Sequence, residues 1–279
     1  MGQDRNAGNT GDRLKHSLTA EVLMQCLTWP EITYAETHAG AGRFSATAQL
    51  REGKNYITEL RDLVLPGDRI DRIVAGGRYH ELIAKWWSEQ RDPITYPGSV
   101  VQSAIILNER DSKIASPDFR VTEACSETCA RLKESTEEFG ISPVNDGFQN
   151  RLDWLTETDN LVLIIDPYAL TQNGKLDKGQ VDLTQLSDLL RRCWQKSSCV
   201  VGFWYSTPQG TSSEVKNARQ NEIKSWAETN SAVFRSFGYW IYDMIWLGIG
   251  DGRVVVNAIP SRQSWEQSWL ANIVKEKSI

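Results

Sequence analysis

The chain has 279 residues, 40% of them hydrophobic, which is enough to bury a substantial core as one large domain or one domain with an insert. No run approaches the about 18 consecutive apolar residues of a membrane span, and Met1 to Asn6 hold no apolar signal core, so we expect a cytoplasmic protein with no membrane partner. A net charge of −5 argues against a broadly nucleic-acid-binding surface, because nonspecific affinity comes from Lys and Arg neutralising phosphates, so any such contact must be local.

Asp12 to Cys26 places Leu14, Leu18, Val22 and Leu23 on one helical face, with His16 just ahead of the first strand. That strand, Ile32 to Glu36, ends in an acid and spills into Thr37-His38-Ala39-Gly40-Ala41-Gly42. Gly40 and Gly42 remove side chains that would keep a ligand off the backbone, and Phe44 to Ala48 is expected to open a helix whose amides favour polar or anionic groups. The third glycine of a dinucleotide fingerprint would fall at Ser45, and no acid follows at about 20 residues, which disfavours a nicotinamide-dependent oxidoreductase.

Residues 49–93 read as a helical insert, with Leu60, Leu63, Ile70, Ile73, Val74, Leu82, Ile83, Trp86 and Trp87 at spacings of three and four. Its interleaved charges read as a solvated face. Tyr96-Pro97-Gly98-Ser99 is a turn feeding a helix from Val100 to Leu107, and Phe119 to Glu123 is a short strand ending in a second acid. After the turn Asn145-Asp146-Gly147-Phe148 comes the apolar strand Leu161 to Asp166, the pattern of a strand buried on both faces of a parallel sheet. A helix near Leu183 to Trp194, a strand from Cys199 to Tyr205 and a helix from Glu214 to Ala227 follow. The chain then closes with Tyr239 to Leu247 and Arg253 to Ile259, which the Gly250-Asp251-Gly252 turn marks as a hairpin. Strands alternating with helices imply a doubly wound, mostly parallel sheet finished by an antiparallel edge. The five cysteines include no Cys-x-x-Cys pair and have no His-rich companion, so they read as reduced structural thiols, and no metal is expected.

Glu36, Glu123, Asp146 and Asp166 all fall at or just beyond carboxyl ends of predicted strands, the edge where open α/β sheets bind ligands. A single strand-end acid commonly caps the next helix. Four of them with a glycine loop and Asp166-Pro167-Tyr168 fit a cofactor with a ribose and a charged amino-acid tail beside a planar acceptor.

On these residues the chain resembles the RlmJ-type 23S ribosomal RNA adenine-N6 methyltransferases, which have the class I S-adenosylmethionine-dependent fold. The matching pieces are Ala7-Gly8-Asn9 with Asp12 and Leu14-Lys15-His16, Thr37 to Arg43, Tyr96 to Ser99, Thr122-Glu123, Asp146 to Gln149, and Ile164 to Tyr168. The resemblance implies a Rossmann-like, seven-stranded α/β sheet in a methyltransferase domain of residues 1–48 and 94–279, with 49–93 as the inserted subdomain. It implies S-adenosyl-L-methionine as cofactor, contacted by His16, His38, Gly40, Gly42, Ser99, Glu123, Asp146, Gly147 and Asp166. Glu123 would take the ribose hydroxyls and Asp146 the adenine amino group.

The implied catalytic residues are Asp166, Pro167 and Tyr168, the tyrosine stacking on a single-stranded or flipped-out adenine of ribosomal RNA. Trp204 and Tyr205 are candidates for the far wall of that pocket, with core packing the equal alternative. We expect a monomer. The family's catalytic strand ends Asp-Pro-Pro-Tyr, whereas this chain reads Asp166-Pro167-Tyr168-Ala169. That shortening keeps two alternatives open, a methyltransferase for DNA or another acceptor and a degenerate cofactor-binding interaction protein.

Overall fold

A computed structural model describes residues 7–45, 56–64, 77–89, 95–111, 114–167, 169–171, 180–206, 213–239 and 242–259. Among these, strands β1 (Thr33–Glu36), β4 (Asp118–Val121), β5 (Asn160–Ile165), β8 (Ser198–Ser206), β9 (Val233–Tyr239) and β10 (Tyr242–Gly250) form one sheet in the order β4-β1-β5-β8-β10-β9. The pairs β4/β1, β1/β5 and β5/β8 are parallel, and β8/β10 and β10/β9 are antiparallel. The chain steps from β1 outward to β4 and then back across to β5, so the order reverses between β1 and β5. That reversal opens a crevice at their carboxyl ends. The place of a seventh strand is taken by a single parallel bridge, Thr122 to Val144, outside β4.

Alternation along the central strands sends side chains into two cores. Tyr34, Val162, Ile164, Val200, Trp204, Met244 and Trp246 join one, while Ala35, Leu161, Leu163, Ile165, Cys199, Val201, Phe203, Ile245 and Leu247 join the other. The first is covered by α1 (Thr10–Cys26), α2 (Tyr56–Val64), α3 (Gly77–Glu89), α4 (Ser99–Leu107) and α9 (Gly252–Ala258). The second is covered by α6 (Leu152–Leu155), α7 (Leu183–Cys193) and α8 (Ser213–Thr229). The remaining elements are α5 (Ser126–Thr136), the 3-10 turns Glu137–Phe139 and Phe148–Arg151, the antiparallel pair β2 (Arg43–Ser45) with β3 (Thr95–Pro97), and the parallel pair β6 (Ala169–Thr171) with β7 (Gln180–Asp182).

α1 starts at a reciprocal cap, in which the Asn9 side chain accepts from Asp12 N at 3.0 Å and the Asp12 carboxylate accepts from Gly8 N at 2.9 Å. Leu14, Leu18, Val22 and Leu23 are buried as their spacing predicts. Of the insert, residues 49–55, 65–76 and 90–93 lie outside the described residues. Its helices α2 and α3 bury Ile57, Leu60, Tyr79, Leu82, Ile83 and Trp87 in the same core as α1, and β2 and β3 pair where the chain leaves and returns.

Two expectations are corrected. Phe44 and Ser45 do not open a helix: they lie in β2, because the chain after the glycine loop is recruited by β3. The closing hairpin is β9 with β10, not β10 with Arg253 to Ile259. The latter segment is largely α9, reached through Gly250, whose φ of 56° admits the sharp exit from β10.

Candidate functional site

Three carboxylates converge where β1, β4 and β5 end. Glu36 closes β1, Glu123 follows β4 by two residues, and Asp166 follows β5 directly. The loop after β1 is threaded between its neighbours: Thr37 N donates to Ile164 O at 3.1 Å and Ala39 N to Thr122 O at 3.1 Å. These backbone bonds carry the glycine loop over the carboxyl edge of the sheet, with Gly40 (φ 64°) and Gly42 (φ 73°) in the left-handed region.

Gly40 N donates to Glu123 Oε2 at 3.1 Å, and Cys125 N donates to Oε1 at 2.9 Å. Each carboxylate oxygen thus holds one backbone amide and keeps acceptor capacity for a further hydroxyl. Gly42 has a packing reason of its own, because a Cβ there would lie 2.7 Å from Ser135 Cβ in α5. Its carbonyl accepts from Gly98 N at 2.6 Å, which brings the start of α4 to the loop.

Asp146 sits on the same edge, joined to Glu123 through Asn145, whose Nδ2 donates to Glu123 O at 2.9 Å. Asp146 Oδ1 takes Gly147 N at 2.8 Å and Asn150 Nδ2 at 2.9 Å, while Oδ2 pairs with Arg151 Nε at 2.9 Å. The Asn150 bond first, and the Arg151 guanidinium with it, lower its pKa. Next along, Phe148 is buried and packs its ring 5.3 Å from that of His38. Burial lowers His38 to about 4, against the opposing pull of Asp166, so its imidazole is neutral at pH 7.

The strongest electrostatic feature comes from α1. Lys15, buried beneath the crevice, places Nζ 2.5 Å from Asp166 Oδ2 and 3.5 Å from Asp12 Oδ1. Burial alone would lower its pKa, but the Asp166 and Asp12 carboxylates outweigh it and hold the ammonium firmly charged. Lys15 occupies Oδ2, and Oδ1 brings acceptor capacity of its own.

Behind this pair lies Glu36, fully buried, accepting from Ser99 Oγ on Oε1 and Tyr34 OH on Oε2, both at 2.6 Å. Burial raises its pKa to about 7 even though both hydroxyls favour the ionised form. His16 is buried too, with Nδ1 within 2.6 Å of Tyr96 OH and 2.9 Å of Gln102 Nε2.

The geometry therefore gathers His16, His38, Gly40, Ser99, Glu123, Asp146, Gly147 and Asp166 around one edge, with Pro167 buried beside Asp166. Tyr168 lies outside the described residues, as does the side chain of Tyr205, and Trp204 is a core residue. Two partners were not legible as such. Lys15 reads as one more polar residue of an amphipathic helix until Asp166, 151 residues away, is brought against it. Tyr96 reads as turn, yet its hydroxyl reaches His16.

The fold and this edge define a doubly wound α/β protein with an acid-rimmed crevice at its topological switch point. No protein-family model matches the chain, and no curated protein matches it significantly. In fold it is similar to protein LPL1258 from Legionella pneumophila str. Philadelphia 1, family-model DUF519, with a TM-score of 0.61 and 16% identity over 95% of this chain and 94% of that one. An rRNA methylase from Streptococcus thermophilus aligns with a TM-score of 0.36, 10% identity, and coverage of 85% and 94%. Streptococcus mutans SMU.1697c, solved in complex with SAH, gives 0.43, 10%, and 83% and 95%. These last two are too distant to carry an argument about this chain. No helix among the described residues is long and apolar enough to cross a membrane.

Proposed function

We propose that the chain is an S-adenosylmethionine-dependent methyltransferase that modifies the exocyclic N6 of an adenine in 23S ribosomal RNA. The observation that carries the reading is the pairing of Gly40 N with Glu123 on one side of β1 and of Lys15 with Asp166 on the other. It sets a diol acceptor and an amine acceptor at opposite ends of one crevice. The chain's resemblance to the adenine-N6 methyltransferases supplies the chemistry that joins them.

The residues present fit such a cofactor. Glu123 keeps a lone pair on each oxygen for ribose hydroxyls, and Asp146 retains capacity on Oδ2 for an adenine amine alongside Arg151. His16, His38, Ser99 and Gly147 complete the wall. Bound there, S-adenosylmethionine would supply an electrophilic methyl group. The protein's part is positioning, which accounts for much of the barrier reduction in transfers between fixed partners.

Asp166 Oδ1 would accept a hydrogen bond from the exocyclic amine and turn the nitrogen lone pair toward the methyl, and the same carboxylate is placed to take the proton. Lys15 holds Asp166 in place and offsets its negative charge beside Glu36 and Asp12. Pro167 restricts the backbone directly after the acid, and Tyr168 is the candidate platform for the base. The adenine would come from a single strand or be flipped out, since a base inside a duplex cannot enter such a crevice.

Incubating the purified protein with methyl-labelled S-adenosylmethionine and either total RNA or DNA tests the proposal. Label in N6-methyladenine of 23S ribosomal RNA is the expected result. Label in DNA alone would move the acceptor, as the shortened Asp166-Pro167-Tyr168 turn permits. Cofactor binding without transfer to either would leave an interaction protein.

A further inference from the structure

One atom that can only accept fixes the protons of a buried chain behind the crevice. Gln102 Nε2 lies 2.7 Å from the carbonyl oxygen of Pro97. A carbonyl offers no hydrogen, so the amide must present its NH2 group there, and its other N–H points at His16 Nδ1 at 2.9 Å. Nδ1 is therefore an acceptor. The hydroxyl of Tyr96 lies 2.6 Å from the same nitrogen and also interacts with Gln102; in the arrangement that gives every group a partner it donates to Nδ1, whose one lone pair is shared with the Gln102 N–H. With its one hydrogen committed, Tyr96 oxygen accepts from Tyr79 OH at 3.1 Å. The Tyr96 ring also lies nearly parallel to the imidazole, at 20° and 5.8 Å between centroids. Burial first, and Lys15 next to it, keep the imidazole from protonating, so its single proton has only Nε2 to occupy.

We propose that Gln102, Tyr96 and Tyr79 are positioning residues that hold His16 as the Nε2–H tautomer, making it a fixed hydrogen-bond donor to an acceptor oxygen of the molecule bound in the crevice. The step from tautomer to ligand rests on the reading of His16 as a cofactor contact; the tautomer itself does not. Tyr79 belongs to α3 in the insert, Tyr96 to β3 where the insert returns, and Gln102 to α4. Two elements thus meet at one ring nitrogen, and the third, α3, joins them through the Tyr96 hydroxyl. The insert is tied to the crevice by a hydrogen-bonded chain as well as by packing, and second partners of this kind set the orientation and tautomer of a binding imidazole.

Long-range proton–nitrogen correlation spectra of the nitrogen-15-labelled protein, without any ligand, read the tautomer directly. The chain has three histidines, so few signals need assigning. His16 should be neutral with its proton on Nε2 at pH 6 to 8, and Tyr96→Phe should shift the equilibrium of that ring alone. An Nδ1–H or charged His16 would overturn the proposal.

Calorimetric titration with S-adenosylmethionine then reads the consequence. Tyr96→Phe should weaken binding about fivefold and Tyr79→Phe, one bond further out, about twofold. Tyr79→Phe keeps the test open if Tyr96→Phe does not fold. A perturbed tautomer with unchanged affinity would overturn the positioning role. Absence of any binding by the wild-type chain would overturn the proposed function, while the spectra would still decide the tautomer.

Discussion

The two faces of the central sheet are built from the same strands, yet they are filled differently. On the face covered by α7 and α8, the buried positions are Leu163, Val201, Phe203, Leu186, Leu189, Ile245, Leu247 and their like. On the face covered by α1, α3 and α4, comparable aliphatic packing is interrupted by buried Arg13, Lys15, His16, Glu36, Ser99 and Gln102. Burying a charge costs several kcal/mol unless it is paired and hydrogen-bonded, and here Lys15 pairs with Asp166 and Asp12, Arg13 donates to the Gly8 and Tyr56 carbonyls, and Glu36 accepts from two hydroxyls. The dry face stabilises the sheet, and the wet face spends some of that stability on holding acids and a lysine at the mouth of the crevice.

The sharpest way to separate the faces is to damage the dry one. Leu189 is fully buried in α7, far along the chain from every candidate site residue. Leu189→Ala should cost about 4 kcal/mol of stability, the transfer and cavity terms together. Denaturant unfolding would read the loss. S-adenosylmethionine affinity of the folded fraction should not move, and if it did, the faces would not be independent.

The wet face should instead show itself in pH. Glu36 is raised from 4.5 to about 7, so the folded chain binds its proton more tightly than the unfolded chain does. Its contribution to stability is complete below about pH 4.5 and is lost as pH rises through about 7, on the order of 3 kcal/mol at about 1.4 kcal/mol per pH unit. Glu36→Gln cannot ionise, keeps an acceptor for Tyr34 or Ser99, and should flatten that part of the pH–stability curve. An unchanged curve would mean that Glu36 stays ionised, held by Ser99 and Tyr34.

What the sequence discloses divides along the same line. The dry face is legible because its signal is local: the apolar runs Leu161 to Ile165 and Cys199 to Phe203 announce buried parallel strands, and the strand ends put Glu123 and Asp166 on one edge. The wet face depends on distant partners, and so nothing local in the sequence marks Lys15 or Tyr96 as lining the site.

The C-terminal error has another cause. Val254-Val255-Val256 looks like a strand by β-propensity, but a strand would place Val254 and Val256 on the same side. In the structure Val254 is 73% exposed, while Val255, Val256 and Ile259 are buried on one helical face against the sheet. Tertiary packing overrides propensity there. The short strand β2 was misread for a similar reason, since its partner β3 lies across the whole insert.

Lys15 lets the comparison be made within the wet face. Removing one partner of a fully buried ion pair costs about 3–5 kcal/mol, but the Asp166 side chain is 17% exposed and recovers some solvation. Lys15→Met should therefore cost about 2 kcal/mol. On the proposed function it should also abolish methyl transfer while leaving S-adenosylmethionine affinity within about tenfold, since Asp166 would lose the partner that holds it while Glu123 and its amides stay in place. Single-turnover transfer and calorimetry on the same preparation separate the two effects, and full transfer by the variant would show that Asp166 needs no partner.

The smallest effect belongs to a pair of the same chemistry in the opposite setting. Arg192 at the end of α7 reaches Asp153 in α6, joining a base and an acid as Lys15 and Asp166 do, but the Asp153 side chain is 90% exposed and that of Arg192 39%. Both groups keep contact with water when the pair forms, so the attraction replaces little that water does not already provide, and the long Arg192 side chain loses rotamer freedom in making it. Arg192→Gln should change stability by less than about 1 kcal/mol, and what change there is should shrink further at 1 M salt, where screening acts within about 3 Å. Lys15→Met should keep most of its penalty at that salt concentration, because Lys15 is buried and the Asp166 side chain only 17% exposed, far less open to ions than the Arg192–Asp153 pair. Equal salt sensitivity of the two variants would mean that water and ions reach the crevice floor, and the contrast between a buried pair and an exposed one would fail at the place where it matters for the proposed chemistry.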